Sequence, residues 1–451
     1  MVDEQNAAKC GGRHPYVIEA MRGLRGNRAV SGWSLVGVII LLWMFGWVPN
    51  VLNLIARGRL KFTFTSEYYE DSIPAVLSVR VIYALLVVGL AIVYWIDSRP
   101  TTQRSWKALI PALLPAALLI FVSNIANGVY PTQPQVFIYA AVCVALWMHG
   151  SDRIPLVTIG WLVIVTATAA LALGLLGVGV LTDADGVSTE KALVFPSLLS
   201  GMYSYNNSLG MSLVAALPFV LVIKPRRLAA IGAALAAIAI LWSGSRASLM
   251  ALAAAGVVGT ALMLTRANPR IRQWLGTLTL AAASIVIIAL PFIERHNPSS
   301  FSSRGRLWDV ALDMWMRSPV IGLGRGVFEP DGELSRTINL VVAHGHNFLV
   351  TMLVVGGLIG AAAAAILVIQ VSVASVRALD LSLVPYLLVL IMLVLGVLET
   401  PSNFFPFERP NTTSYVTWVI FALGFWATDV NGFRAAFRRT PDPHESSPAD
   451  A

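Results

Sequence analysis

Charge is the scarcest property of this chain: of its 451 residues, only 12% are Asp, Glu, Lys or Arg, about half the roughly 25% of an ordinary soluble domain. So little charge excludes a soluble globular protein of this length, because its surface could not be covered. Cysteine is nearly absent as well. Cys10 and Cys143 are the only two, one in the N-terminal tail and one inside an apolar run, and no disulfide framework follows from them. No HExxH, cysteine pair or EF-hand spacing occurs, and no internal repeat of solenoid period is evident.

What is present is apolar. Hydrophobic residues make up 57% of the sequence and mean hydropathy is +0.72. The apolar runs approach 20 residues and are separated by short polar connections, the pattern of helices crossing a bilayer rather than of barrel strands. Twelve spans are expected, at 33–52, 76–96, 108–125, 136–149, 154–181, 209–223, 228–242, 247–264, 275–293, 348–371, 383–398 and 416–427. The fourth, seventh and twelfth are short, and only Ser243 to Arg246 separates the seventh from the eighth. The first run is too long for a signal-peptide core and no small-residue cleavage site follows it, so it is read as a retained span.

The net charge of +8 invites a nucleic-acid reading, but the basic residues sort by topology. With the N-terminus inside, the even-numbered connections hold Arg99, Arg104 and Lys107, then Arg153, then Lys224, Arg226 and Arg227, then Arg266, Arg270 and Arg272, then Arg377. Every expected cytoplasmic connection is basic, as the positive-inside rule requires. Both termini are therefore placed in the cytoplasm and no nucleic-acid partner is expected.

The resulting division is a cytoplasmic tail (1–30), helices one to nine (31–293), a large external loop with amphipathic helices (294–347), helices ten to twelve (348–428) and a polar, disordered cytoplasmic tail (429–451). In the large loop, SSRGRLWDVALDMWM carries apolar residues at helical spacing, at Leu307, Val310, Ala311, Met314 and Trp315. That helix either lies on the membrane surface or caps the bundle. The GLGRG that follows reads as a turn and not as a phosphate loop, since no strand precedes it.

Candidate chemistry collects on the outer face: His344 and His346, Arg304 and Arg306, Arg246 in the tight SGSR turn, and Arg80 just inside the outer end of the second span. A histidine at this boundary is either an interfacial anchor or a base, with an ordinary pKa near 6.5. Arginines suit phosphate through their planar, permanently charged fork, though each could also cap a helix, snorkel or anchor to headgroups. The acidic residues Glu329, Asp331 and Glu333 beside the histidines read as a solvated turn rather than a metal site. A second acidic cluster, Glu67, Glu70 and Asp71, lies in the first external loop.

His346 and Asn347, followed at nine residues by Gly357 and then by Gly360, resemble the H-[NSQ]-x9-G-x2-[GTY] signature of bacterial O-antigen ligases, within the wider ligase and polymerase superfamily. SSRGRLWDVALDMWMRSPVIGLG is similar to that superfamily's arginine, tryptophan, then proline-and-glycine stretch. GSRAS and YNNSLGMSLVAALPFVL resemble two further span entries.

The resemblance covers about 206–360. It implies an all-α polytopic membrane protein of GT-C-like architecture in the bacterial inner membrane, with a periplasmic active site. The implied reaction transfers a glycan from undecaprenyl diphosphate to a sugar hydroxyl of lipid A-core. His346 would be the general base, with Arg304 or Arg306 and Arg246 on the diphosphate in place of a metal; no cofactor is called for. Arg80 is a further diphosphate candidate, and His344 and Asn347 are candidates for orienting the acceptor. A polymerase, a protein O-oligosaccharyltransferase and a transporter of lipid-linked sugars are the alternatives.

Overall fold

In a membrane every backbone group must find its partner within the protein, so apolar runs of this length become helices. The computed structural model describes residues 35–56, 72–97, 110–128, 156–183, 194–203, 205–328, 332–338 and 344–399, with single positions at 141, 144, 190 and 192. Among these lie α1 (Leu35–Met44), α2 (Val48–Ala56), α3 (Ile73–Asp97), α4 (Ile110–Ser123), α5 (Leu156–Leu175), α6 (Asn206–Ala216), α7 (Arg226–Ser243), α8 (Arg246–Leu264), α9 (Pro269–Glu294), α10 (Ser300–Trp315), α11 (Glu333–Ile338), α12 (Phe348–Arg377) and α13 (Val384–Leu398). A two-residue antiparallel ladder pairs β1 (Val180–Leu181) with β2 (Leu198–Leu199).

Six of these helices are long and apolar enough to cross a membrane, and the α1–α2 pair, bent by 41°, makes a seventh if counted as one span. The chain is thus a mostly helical, polytopic membrane protein. The exposed apolar stripe of α3, Leu77, Val81, Leu85, Val88 and Ile92, is what a bilayer-facing helix requires. Of the twelve expected spans, the fourth lies outside the described residues but for Ala141 and Val144, and the twelfth lies wholly outside them. The sixth is α6 continued by a 3-10 turn, Leu217–Val222. The seventh and eighth are separate helices, turned by Gly244 in the left-handed conformation.

At the centre stands α13, whose residues are buried on all sides and which packs against α6, α8, α9 and α12. Apolar character all round is the mark of a helix inside a bundle. Its 15 residues reach only about 22 Å, short of a hydrocarbon core of about 30 Å. Glu399, the next residue, is consequently buried at the end of that helix.

α12 is long but broken. Gly357 has φ +61° within it, and the loop after α10 fills the gap: Leu323 and Gly324 donate N–H to the carbonyls of Val354 and Val355, while Leu358 and Ile359 donate to Pro319 and Val320. Four hydrogen bonds replace those the break removes, the condition for irregular backbone among membrane helices. A side chain at Gly357 would land on the carbonyl of Val320, and one at Gly360 would press on Leu119 of α4 at 3.1 Å. GLGRG is the turn expected, with Gly322 and Gly324 at positive φ, seated against this break.

α10 caps the bundle, burying Leu307, Trp308, Ala311, Leu312 and Met314 against α9 and α12. Arg295, just past α9, bonds Asp309 at 2.9 Å and Asp313 at 2.7 Å. Gly305 lets α10 cross the last turn of α9, since a Cβ there would meet the carbonyl of Asn297. That crossing brings Arg304 over the end of α13.

Candidate functional site

Four segments far apart in sequence converge at one end of the bundle. The start of α8 supplies Arg246, the first turns of α10 supply Phe301 and Arg304, the turn before α12 supplies His344 and His346, and the end of α13 supplies Glu399. A pocket is lined by Asn207, Arg246, Ala247, Phe301, Arg304, Leu398 and Glu399.

Glu399 ties the group together. Its Oε1 accepts from Arg304 Nη2 at 2.5 Å and its Oε2 pairs with His346 Nδ1 at 2.9 Å. Arg304 Nη1 also donates to the carbonyl of Leu398, capping a helix end whose carbonyls lack partners. A carboxylate at a helix C-terminus is disfavoured by the dipole, and the Arg304 cation with the His346 N–H offsets that. Burial alone would raise the Glu399 pKa, but the charge and hydrogen bond of His346, then Arg304 and His344, outweigh it and hold the carboxyl well below the usual range.

The carboxylate partner fixes the proton of His346. Nδ1 carries it toward Glu399, which leaves the Nε2 lone pair open. The loop holding this ring is tightly specified. Trp308, fully buried, donates its indole N–H to Gly345 O at 3.0 Å, and Gly345 N–H donates to Thr351 Oγ1 at 3.0 Å. His346 sits at φ +48°, an uncommon conformation for a residue with a Cβ. Phe301 and Ser303, on the arm of α10 that bounds the pocket, are the other non-glycine residues with positive φ among the described residues. Backbone strain clustered in this way marks places the surrounding structure over-determines.

His344 stacks at a tilt on His346, ring centroids 4.3 Å apart, and its Nδ1 accepts the His346 backbone N–H at 3.1 Å. Burial first, then His346 and Arg304, push its pKa down to about 3 against the opposing pull of Glu399. It is therefore a neutral imidazole with its proton on Nε2. Asn347 caps α12, its Oδ1 accepting from Val350 N. Its Nδ2 bonds the carbonyls of Ile287 and Val397, both at 3.1 Å, so its side chain joins three helices and does not reach into the pocket.

The arginines separate clearly. Arg304 is committed to Glu399 and Leu398 with donors to spare, since a guanidinium has five. Arg246 lines the same pocket and, among the described residues, makes no hydrogen bond or ion pair. Its position as the first residue of α8 adds the positive end of that helix. Arg306, two residues beyond Arg304 and so about 200° around the helix, is exposed and does not line the pocket. Arg80 is exposed on α3, likewise off the pocket.

His344, His346 and Glu399 are also the group whose ligand-type atoms lie within 4.8 Å of one another. As arranged, His344 Nδ1 accepts a backbone N–H and both carboxylate oxygens are hydrogen-bonded, while His346 keeps Nε2 open. Of the acidic residues weighed in the sequence, Glu333 pairs with Arg317, while Glu329, Asp331, Glu67, Glu70 and Asp71 lie outside the described residues.

Sequence reasoning missed Glu399, along with Phe301 and Asn207. The available signal for Glu399 was an isolated acid closing an apolar run.

No curated protein gives a significant match to the chain. Residues 231–365 match the family model described as O-antigen ligase. Arg246, Arg304, His344, His346 and Gly357 all fall within that stretch, so the part of this membrane protein that carries the site is similar to the O-antigen ligase family.

Proposed function

We propose that the protein is an O-antigen ligase that transfers a glycan from undecaprenyl diphosphate to a sugar hydroxyl of lipid A-core at the periplasmic face of the inner membrane. The observation that carries this reading is the Glu399–His346 pair at 2.9 Å beside Arg246, which has no partner among the described residues.

His346 Nε2 takes the proton of the acceptor hydroxyl as its oxygen attacks the anomeric carbon. The bond from that carbon to the phosphate oxygen breaks, and its electron pair leaves with the diphosphate. Glu399 holds the imidazole in the required tautomer and stabilises the imidazolium that forms, as the carboxylate of a hydrolase triad does. Arg246 and the spare donors of Arg304 face the charge that builds on the leaving group. Glu399 is engaged by Arg304 and is not free to form a glycosyl-enzyme, which favours a single displacement with inversion.

The reaction of the purified protein with lipid-linked glycan, offered lipid A-core, a second lipid-linked glycan and a serine-containing peptide in competition, tests the assignment. Product on lipid A-core is expected, unaffected by a chelator. Product on the glycan or the peptide would reassign the protein as a polymerase or a protein transferase, and loss restored by a divalent ion would replace the arginines with a metal. Product formed without an ion gradient separates an enzyme from a transporter.

A further inference from the structure

The far end of α9 holds a charge that the reaction does not use. Arg272, in the first turn of that helix, is 7% exposed, and its Nε is buried without a hydrogen-bond partner. Among the described residues the whole guanidinium makes no hydrogen bond or ion pair. Burying a charge costs several kcal/mol unless it is paired, so such a group calls for an anion.

The groups near Arg272 do not supply one. Asp380 and Arg266 act on it electrostatically, but Asp380 is not within ion-pair distance and its Oδ2 accepts from Gln273 at 3.3 Å. Arg266 adds a second positive charge. Placement of basic residues on one side of a membrane explains Arg266 and Arg270, which are exposed, because such charges act while solvated. It does not explain an arginine that is 7% exposed and has its Nε buried without a hydrogen-bond partner.

The depth of the site is set by the helix. α9 has 26 residues, about 39 Å, against a hydrocarbon core of about 30 Å. Its first turn thus stands at headgroup level, where Trp274, 68% exposed, is the kind of side chain that favours the interface. The positive end of the helix dipole points the same way.

We propose that Arg272, with Arg266, forms a binding site for a phosphate oxyanion, and that its occupant is the phosphodiester of an anionic phospholipid. The planar fork of Arg272 matches two phosphate oxygens, and the neighbouring apolar surface, Met263, Leu264 and Ile271, is exposed as acyl chains require.

Native mass spectrometry of the full-length protein in detergent, with equal amounts of dioleoylphosphatidylglycerol and dioleoylphosphatidylcholine, tests this. The wild type is expected to hold the anionic lipid at least fivefold in preference. Arg272→Met should abolish that preference while melting no lower than wild type in phosphatidylcholine, since no protein partner is lost. Arg270→Gln removes the same charge from the other side of the helix and should retain it. Equal loss in Arg270→Gln and Arg272→Met, or no preference in the wild type, overturns the proposal. Inorganic phosphate raising the melting temperature of wild type but not of Arg272→Met, without lipid preference, overturns the lipid as occupant.

Discussion

The floor and the wall of the pocket use the same residue types in opposite ways. On the floor, Glu399 and Arg304 satisfy each other, and Glu399 also holds His346 beside the pocket, so their geometry is fixed before any ligand arrives. On the wall, Arg246 has no partner among the described residues and Phe301 is half-exposed in a strained backbone. The difference separates preparation from binding. A matched group sets a tautomer and an orientation, whereas an unmatched cation waits for charge that only a substrate brings. Substitutions on the floor should therefore cost both stability and activity, and substitutions on the wall activity alone.

The largest break in that contrast comes from Glu399→Gln. It leaves Arg304 with an uncompensated charge and frees the His346 tautomer. Transfer should fall on the order of 10²–10⁴-fold, with a lower melting temperature in detergent. Arg246→Gln is next. Activity in membranes carrying donor and acceptor should fall about 10- to 100-fold, the loss of one charge-assisted contact worth about 1.4 to 2.7 kcal/mol, at an unchanged melting temperature. A melting temperature that falls as far as that of Glu399→Gln would erase the distinction.

His344 sharpens the comparison through pH. Its folded pKa is about 3 and a histidine in an unfolded chain titrates near 6.5. Between these values the unfolded chain binds a proton that the folded protein refuses. Stability should accordingly decline as pH falls below about 6.5, by about 1.4 kcal/mol per pH unit. Glu399, whose carboxyl is depressed, contributes stability that is lost only below the ordinary carboxylate range near 4, a separate window. Thermal melts from pH 7 to 5 should show the slope in wild type and a shallower one in His344→Asn, which keeps an acceptor for the His346 N–H. The smallest effect belongs to Arg306→Gln, a change of less than about threefold in transfer, as for an exposed charge off the pocket.

Much of this fold was legible in the apolar runs, because length and hydropathy alone decide that a segment is a membrane helix. Where the backbone departs from a straight helix they are silent. Nothing in the hydropathy of α12 distinguishes Gly357, which breaks it, from Gly356, which does not. The signature glycine becomes intelligible only with Val320 and the Pro319–Gly324 turn beside it. The choice between Arg304 and Arg306 needed helical phase, which sequence spacing supplied, and a target for that phase, which it did not. Glu399 is 53 residues from His346 and 95 from Arg304; its role is created by the shortness of α13 and the crossing of α10. Asn347 carried a plain signal, an asparagine heading an apolar run, and it is indeed the cap of α12.

The central claim is that His346 is the base of a transfer reaction and not an interfacial anchor. The direct measurement is the rate of glycan transfer by His346→Ala in proteoliposomes containing lipid-linked donor and lipid A-core, set beside its melting temperature. A fall of at least about 100-fold, in a protein whose substrate-free fold still melts cooperatively, is the expected result. Full transfer activity in that variant would contradict the account.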